Sequence, residues 1–171
     1  MREGGRQDIP APAIITSLQN ERVKFIRALE MRKTRRETGL FVAEGASILV
    51  SARDAKRTPR MLAYQAGTAN DGVARQLVSW ALREKSEVLE VSEAVLGKLA
   101  AKDNPQTMLG VFPQVWSPPP QITSKAATET WIALEDVRDP GNLGTIMRTA
   151  HAVGASGVIL VGTCCDPFSR E

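Results

Sequence analysis

Asp139, Pro140, Gly141 and Asn142 stand together, and the next charged residue after them is Arg148, in the stretch EDVRDPGNLGTIMRTA over 135–150. Proline fixes φ, glycine admits a positive φ, and asparagine is a helix-capping residue, so a structural turn between a strand and a helix accounts for all four positions. The spacing admits a second use. Helical side chains tilt toward the N-terminus, so Arg148 leans over residue 144, which is a glycine and leaves clear space there. An arginine beside a helix start at the carboxyl end of a strand is a place for a phosphate or a developing oxyanion. GNLGTIM has neither the G-x-G-x-x-G spacing of a dinucleotide fingerprint nor its downstream acid.

The elements that must hold this turn form a βαβ unit. An apolar strand over 131–137 precedes the turn at 138–141, a helix over 142–153 follows, Gly154 stops it, and a second strand covers 157–162. Leu143, Ile146, Met147, Ala150 and Val153 make the helix face for the sheet. So short a βαβ unit cannot cover both faces of a parallel sheet, so Ile132, Leu134, Val158 and Leu160 are expected to stay uncovered unless another chain packs on them.

Upstream, Asn20 or Ser17 caps a helix with Val23, Ile26 and Leu29 on one face. LFVAEG is a buried strand leading into a helix at 45–54. Strands at 60–65, 87–92 and 108–112 alternate with helices at 70–84 and 92–101, the last capped by Ser92. This alternation predicts an α/β layer structure with a largely parallel sheet. Residues 1–13 read as a disordered tail, 14–114 as one domain, the Pro-rich 115–130 as a linker and 131–171 as an incomplete second domain.

The 171 residues carry a net charge of +3. Residues 131–171 hold three arginines against five acids, a net −2, which leaves +5 on the rest. Seven cations lie between Asn20 and Leu40, a density that suits either a polyanion or the solvated face of a surface helix. The longest apolar run, Val153 to Gly162, is about half of a membrane span, and the N-terminus lacks the apolar stretch of a signal peptide, so an intracellular, cytoplasmic protein is expected. The adjacent Cys164 and Cys165 suit neither a disulfide nor, with His151 the single histidine, a metal site. Phe25, Phe41, Trp80 and Trp116 read as core or hinge packing rather than platforms for bases.

The pattern D-V-x-D-P-x-N-x-G-x-I-x-R-T-A, carried by Asp136, Val137, Asp139, Pro140, Asn142, Gly144, Ile146, Arg148, Thr149 and Ala150, resembles the first motif of the SpoU (TrmH-type) ribose 2′-O-methyltransferases of the SPOUT superfamily. Ala152, Gly154, Ala155, Val158 and Leu160, then Asp166-Pro167, extend the match. Ser17 to Gly45 and KDNPQTMLGVF at 102–112 resemble the substrate-binding domain of the same family. The resemblance implies a small ribosomal-protein-like α/β sandwich followed by the first βαβ unit of a SPOUT α/β knot. It implies Arg148 and Asn142 as catalytic residues, with RNA bound through Arg22, Lys24, Arg32, Lys33, Arg35, Arg36, Lys102 and Asn104. S-adenosylmethionine would be the cofactor, its site expected beyond Glu171. The substrate would be large-subunit ribosomal RNA first and transfer RNA second, and the full-length protein a homodimer. An RNA-binding protein without catalysis and a small nucleotide-binding βαβ protein are the competing readings.

Overall fold

The computed structural model describes residues 13–70, 72–100, 106–118, 120 and 129–170. The chain divides into two compact units, Met1–Ala28 with Ala43–Phe112, and Leu29–Val42 with Pro113–Glu171. The second unit begins at Pro113, ahead of the Pro-rich 115–130 expected as a linker, and Leu29–Val42, expected within the 14–114 domain, joins the second unit. The tail lies outside the described residues except Ala13, as do 119 and 121–128 of the linker.

In the first unit α1 (Glu21–Ala28) starts at Asn20, whose side chain accepts from Arg22 N at 2.8 Å, and Val23 and Ile26 are fully buried beneath it. The four strands β1 (Leu40–Glu44, of which Ala43 and Glu44 belong to this unit), β2 (Met61–Gln65), β3 (Glu87–Val91) and β4 (Met108–Pro113, within it to Phe112) stand in the order β1-β4-β2-β3. Between them come α3 (Ala46–Asp54), α4 (Gly72–Arg83) and α5 (Glu93–Leu99). Ser92 caps α5 as expected, accepting from Val95 N. Helices α3 and α4 pack together, α1 packs on α5, and α4 and α5 both touch β2. Central β4 is buried from Met108 to Phe112, as a strand covered on both faces must be.

The sheet is mixed rather than largely parallel. β2 and β3 are parallel, joined through α4, but β4 runs antiparallel to β2, pairing Met61 with Val111 and Tyr64 with Met108. Gly45 N donates to Met108 O and Gln114 N to Gly39 O, so β1 is antiparallel to β4 as well. Alternation of strands and helices reports which segments must be covered. It does not fix the direction in which a strand enters between two others.

The second unit holds α2 (Arg32–Thr38), β5 (Trp131–Glu135), α6 (Pro140–Ala152) and β6 (Gly157–Val161). α2 ends at Gly39, left-handed at φ 65, whose N–H closes on Arg35 O. β5 and β6 form a two-stranded parallel sheet in the register Trp131↔Gly157 to Glu135↔Val161. The Trp131 ring lies where a side chain at residue 157 would stand, so glycine is required there. Ile132, Leu134, Val158 and Leu160, expected to stay uncovered, are half-buried rather than exposed. α6 buries Leu143 and Ala150, whereas Met147 is 40% and Val153 72% exposed, so its apolar face is only partly used.

Candidate functional site

The turn after β5 is built by Asp139. Its carboxylate accepts from Asn142 N at 2.6 Å and caps α6, while Pro140 takes the first helical position, where no N–H is needed. The helix therefore begins two residues earlier than the sequence suggested, and Asn142 is freed from capping. Its side chain is exposed and forms no hydrogen bond among the described residues. Arg148 leans back over Gly144, its Nη1 lying 3.4 Å from where a Cβ at residue 144 would sit. Nη2 donates to Thr145 Oγ1 at 3.1 Å, and that hydroxyl donates to Gly141 O at 2.9 Å. Thr145 thus orients the guanidinium, a role the sequence reading missed because its position carries no charge. Arg148 is exposed and has no ion pair among the described residues, so its charge is available to an anion at the helix start.

The loop after β6 is fastened to the loop after β5. Asp136, at φ 53, accepts from Thr163 N at 2.6 Å, and Cys165 N donates to Val137 O at 2.8 Å. Beyond it, Asp166 meets Arg35, whose Nε and Nη2 both donate to Oδ2 at 3.0 and 2.8 Å. Arg35 Nη1 donates to the carbonyls of Leu29 and Glu30. Phe168 packs against Phe41 and Trp116 at ring separations of 5.0 and 5.1 Å. Burial foremost, with smaller contributions from Cys164, Asp139 and Asp166, pushes the Cys165 thiol up, against a lowering backbone hydrogen bond, so it stays protonated at neutral pH.

The expected RNA-contacting cations fall into three groups. Arg22, Lys24 and Lys33 are exposed but paired, with Glu87 at 2.5 Å, Glu21 at 3.2 Å and Glu37 at 3.9 Å. Arg32 and Arg36 are exposed, one helical turn apart on α2, and have no ion pair among the described residues. Arg35 is 5% exposed and donates four of its five N–H groups, two to Asp166 and one each to Leu29 O and Glu30 O, an arrangement that suits a structural role. Its place among the α2 cations hid this, because helical charge runs do not reveal which member turns inward. Lys102 and Asn104 lie outside the described residues. Trp80 is buried as expected, but Trp116 is 64% exposed and is not core.

A cavity of about 550 Å³ runs along β6, lined among others by Trp131, Met147, Val158, Leu160 and Phe168. A second, of about 360 Å³, lies among Arg32, Arg36, Trp116 and the loop after β6.

Residues 20–110 match the MRM3-like substrate binding domain, and residues 129–171 match the SpoU rRNA Methylase family. An uncharacterized tRNA/rRNA methyltransferase of Synechocystis is 36% identical over 93% of this chain and 56% of its own length. The 23S rRNA (guanosine(2553)-2′-O)-methyltransferase RlmP of Bacillus subtilis is 28% identical over 92% of this chain and 58% of its own. The AdoMet-bound rRNA methyltransferase of Sinorhizobium meliloti superposes with a TM-score of 0.79 at 43% identity, covering 92% of this chain and 57% of that one. The chain thus spans a little over half the length of the relatives it matches. With both of its units matched in order, the chain belongs to the SpoU family of RNA methyltransferases.

Proposed function

We propose that this chain recognises RNA and positions a ribose in an S-adenosylmethionine-dependent RNA 2′-O-methyltransferase acting on large-subunit ribosomal RNA. The observation that carries the reading is Arg148 of α6, held over Gly144 by Thr145 with no ion pair among the described residues. A ribose 2′-hydroxyl is a weak nucleophile, and its oxygen becomes negative as it reacts. A guanidinium with a pKa above about 12 does not take the proton. Arg148 instead holds the adjacent phosphate and stabilises the developing charge, so that phosphate or water accepts the proton. Asn142, exposed nearer the start of α6, orients the ribose or its phosphate. Only RNA offers the 2′-hydroxyl, and the exposed cations of α1 and α2 hold its backbone.

S-adenosylmethionine supplies the electrophilic methyl in this chemistry. The AdoMet-bound neighbour and the SpoU match support S-adenosylmethionine as that cofactor. The second reading is an RNA-binding protein without catalysis. Among the described residues no helix is long and apolar enough to cross a membrane. On the main reading the protein acts in the cytoplasm as a homodimer.

Methyl transfer to 23S ribosomal RNA, read as 2′-O-methyl nucleosides after complete digestion, tests the proposal on the natural protein. Arg148→Ala is expected to cut turnover by about a hundredfold or more, the scale for losing one group that stabilises an oxyanion. RNA affinity is expected to stay within about threefold. Wild-type turnover in that variant overturns the assignment, and RNA binding without any methylated product establishes the second reading.

A further inference from the structure

We propose that the smaller cavity is a subsite for one unstacked RNA nucleotide, with Arg32 and Arg36 on its phosphate and the Trp116 indole against its base. The inference rests on the RNA reading above and adds a location and a mode of contact to it.

Three observations converge there. Arg32 and Arg36 stand at i and i+4, neighbours on the helix surface, and are the two cations of that group without an ion pair among the described residues. Among the described residues Asp166 is the one acid lining the cavity, and it is already spent: Oδ2 accepts two bonds from Arg35 and Oδ1 accepts from Phe168 N at 2.9 Å. The site is therefore electropositive without a competing carboxylate. Trp116 is fixed edge-to-face on Phe168, with an interplanar angle of 80°, while 64% of the residue remains in solvent. A large aromatic that is both rigid and exposed beside arginines is the arrangement that stacks single-stranded bases, because every base offers a π-face. At about 360 Å³ the cavity is at the small end of ligand sites, enough for one nucleotide rather than a duplex.

The test titrates the 171-residue chain with a mixed-sequence single-stranded RNA 12-mer and follows tryptophan fluorescence and affinity together. RNA is expected to quench the emission, and Trp116→Phe to remove most of the quench while keeping affinity within about threefold. Trp116→Ala is expected to weaken binding about tenfold, the scale of one lost base stack. Arg32→Ala and Arg36→Ala are each expected to lower the slope of log affinity against log salt by about one. Circular dichroism confirms that each variant is folded. If the wild type binds RNA but all four variants bind and quench like it, the subsite is wrong and the RNA reading stands. If the wild type binds no RNA, that reading fails and takes the subsite with it. Quenching by S-adenosylmethionine or a phosphotyrosine peptide, with none by RNA, gives the cavity a different occupant and overturns the proposal.

Discussion

Gly144 and Arg148 act as a pair, and the distance between them sets what residue 144 tolerates. A Cβ there would lie 3.4 Å from Arg148 Nη1, which is ordinary contact rather than a clash. Gly144→Ala should therefore keep methyl transfer within about threefold and raise helix stability by up to about 1 kcal/mol, read as an increased Tm. Gly144→Leu fills the space the guanidinium occupies and should lose transfer to about the extent of Arg148→Ala, with the fold intact by circular dichroism. Equal activity in both variants would show that the position of Arg148 does not matter. Cys165 gives a prediction of the opposite kind, an absence of reactivity. Its raised pKa lowers the thiolate fraction at neutral pH, so iodoacetamide should label it more slowly than a free small thiol at pH 7.5. Its labelling rate should still be climbing with pH where that of the free thiol has levelled off. Labelling at pH 7.5 as fast as that of a free thiol would show that burial does not govern it.

At the scale of elements, the brace between the β5 and β6 loops is the part most sensitive to a single atom. Gly162 has φ +69, and a Cβ on it would lie 2.5 Å from Asp136 Oδ1. Gly162→Ala should therefore cost about 2 kcal/mol or more, combining the left-handed penalty with loss of the Asp136–Thr163 bond. Asp136→Asn retains an acceptor and tolerates φ 53, so it should be nearly neutral, whereas Asp136→Ala should cost about 1–2 kcal/mol in urea unfolding. Equal losses for Asn and Ala would mean that the carboxylate charge, not the hydrogen bond, holds the loop. Elements of this size were largely legible in the sequence. The periodicity of Val23 and Ile26, the Ser92 cap, the Gly154 stop and the strands at 60–65, 87–92 and 108–112 all have counterparts, because each is decided by local chemistry. The antiparallel entry of β4 was not legible, since strand direction depends on which neighbours it pairs with. Nor was the exchange of roles between Asp139 and Asn142. Both are good capping residues, and only the start of the helix at Pro140 decides between them.

Over the whole molecule, the consequence hardest to see in the sequence is that the second unit is assembled from two separated stretches, Leu29–Val42 and Pro113–Glu171. Arg35 and Asp166, 131 residues apart, join those stretches with side chains only 6% and 13% exposed. A buried pair is weak evidence of net stabilisation, because desolvation offsets much of the attraction, but removing one partner strands the other charge. Asp166→Ala should accordingly destabilise the protein by about 3–5 kcal/mol in urea unfolding. Arg35→Met should cost at least as much, because it also strips the donors from Leu29 O and Glu30 O. The double variant Arg35→Met, Asp166→Leu should recover only part of the loss, since no apolar residue satisfies those two carbonyls. Full recovery would mean that the pair acts through charge alone. The same geometry separates Arg35 from its neighbours on α2 when RNA affinity is measured below the unfolding transition. Arg32→Ala and Arg36→Ala should weaken binding with stability unchanged, whereas any effect of Arg35→Met should vanish once affinity is expressed per folded molecule, because its guanidinium is buried with four of its five N–H groups already donating.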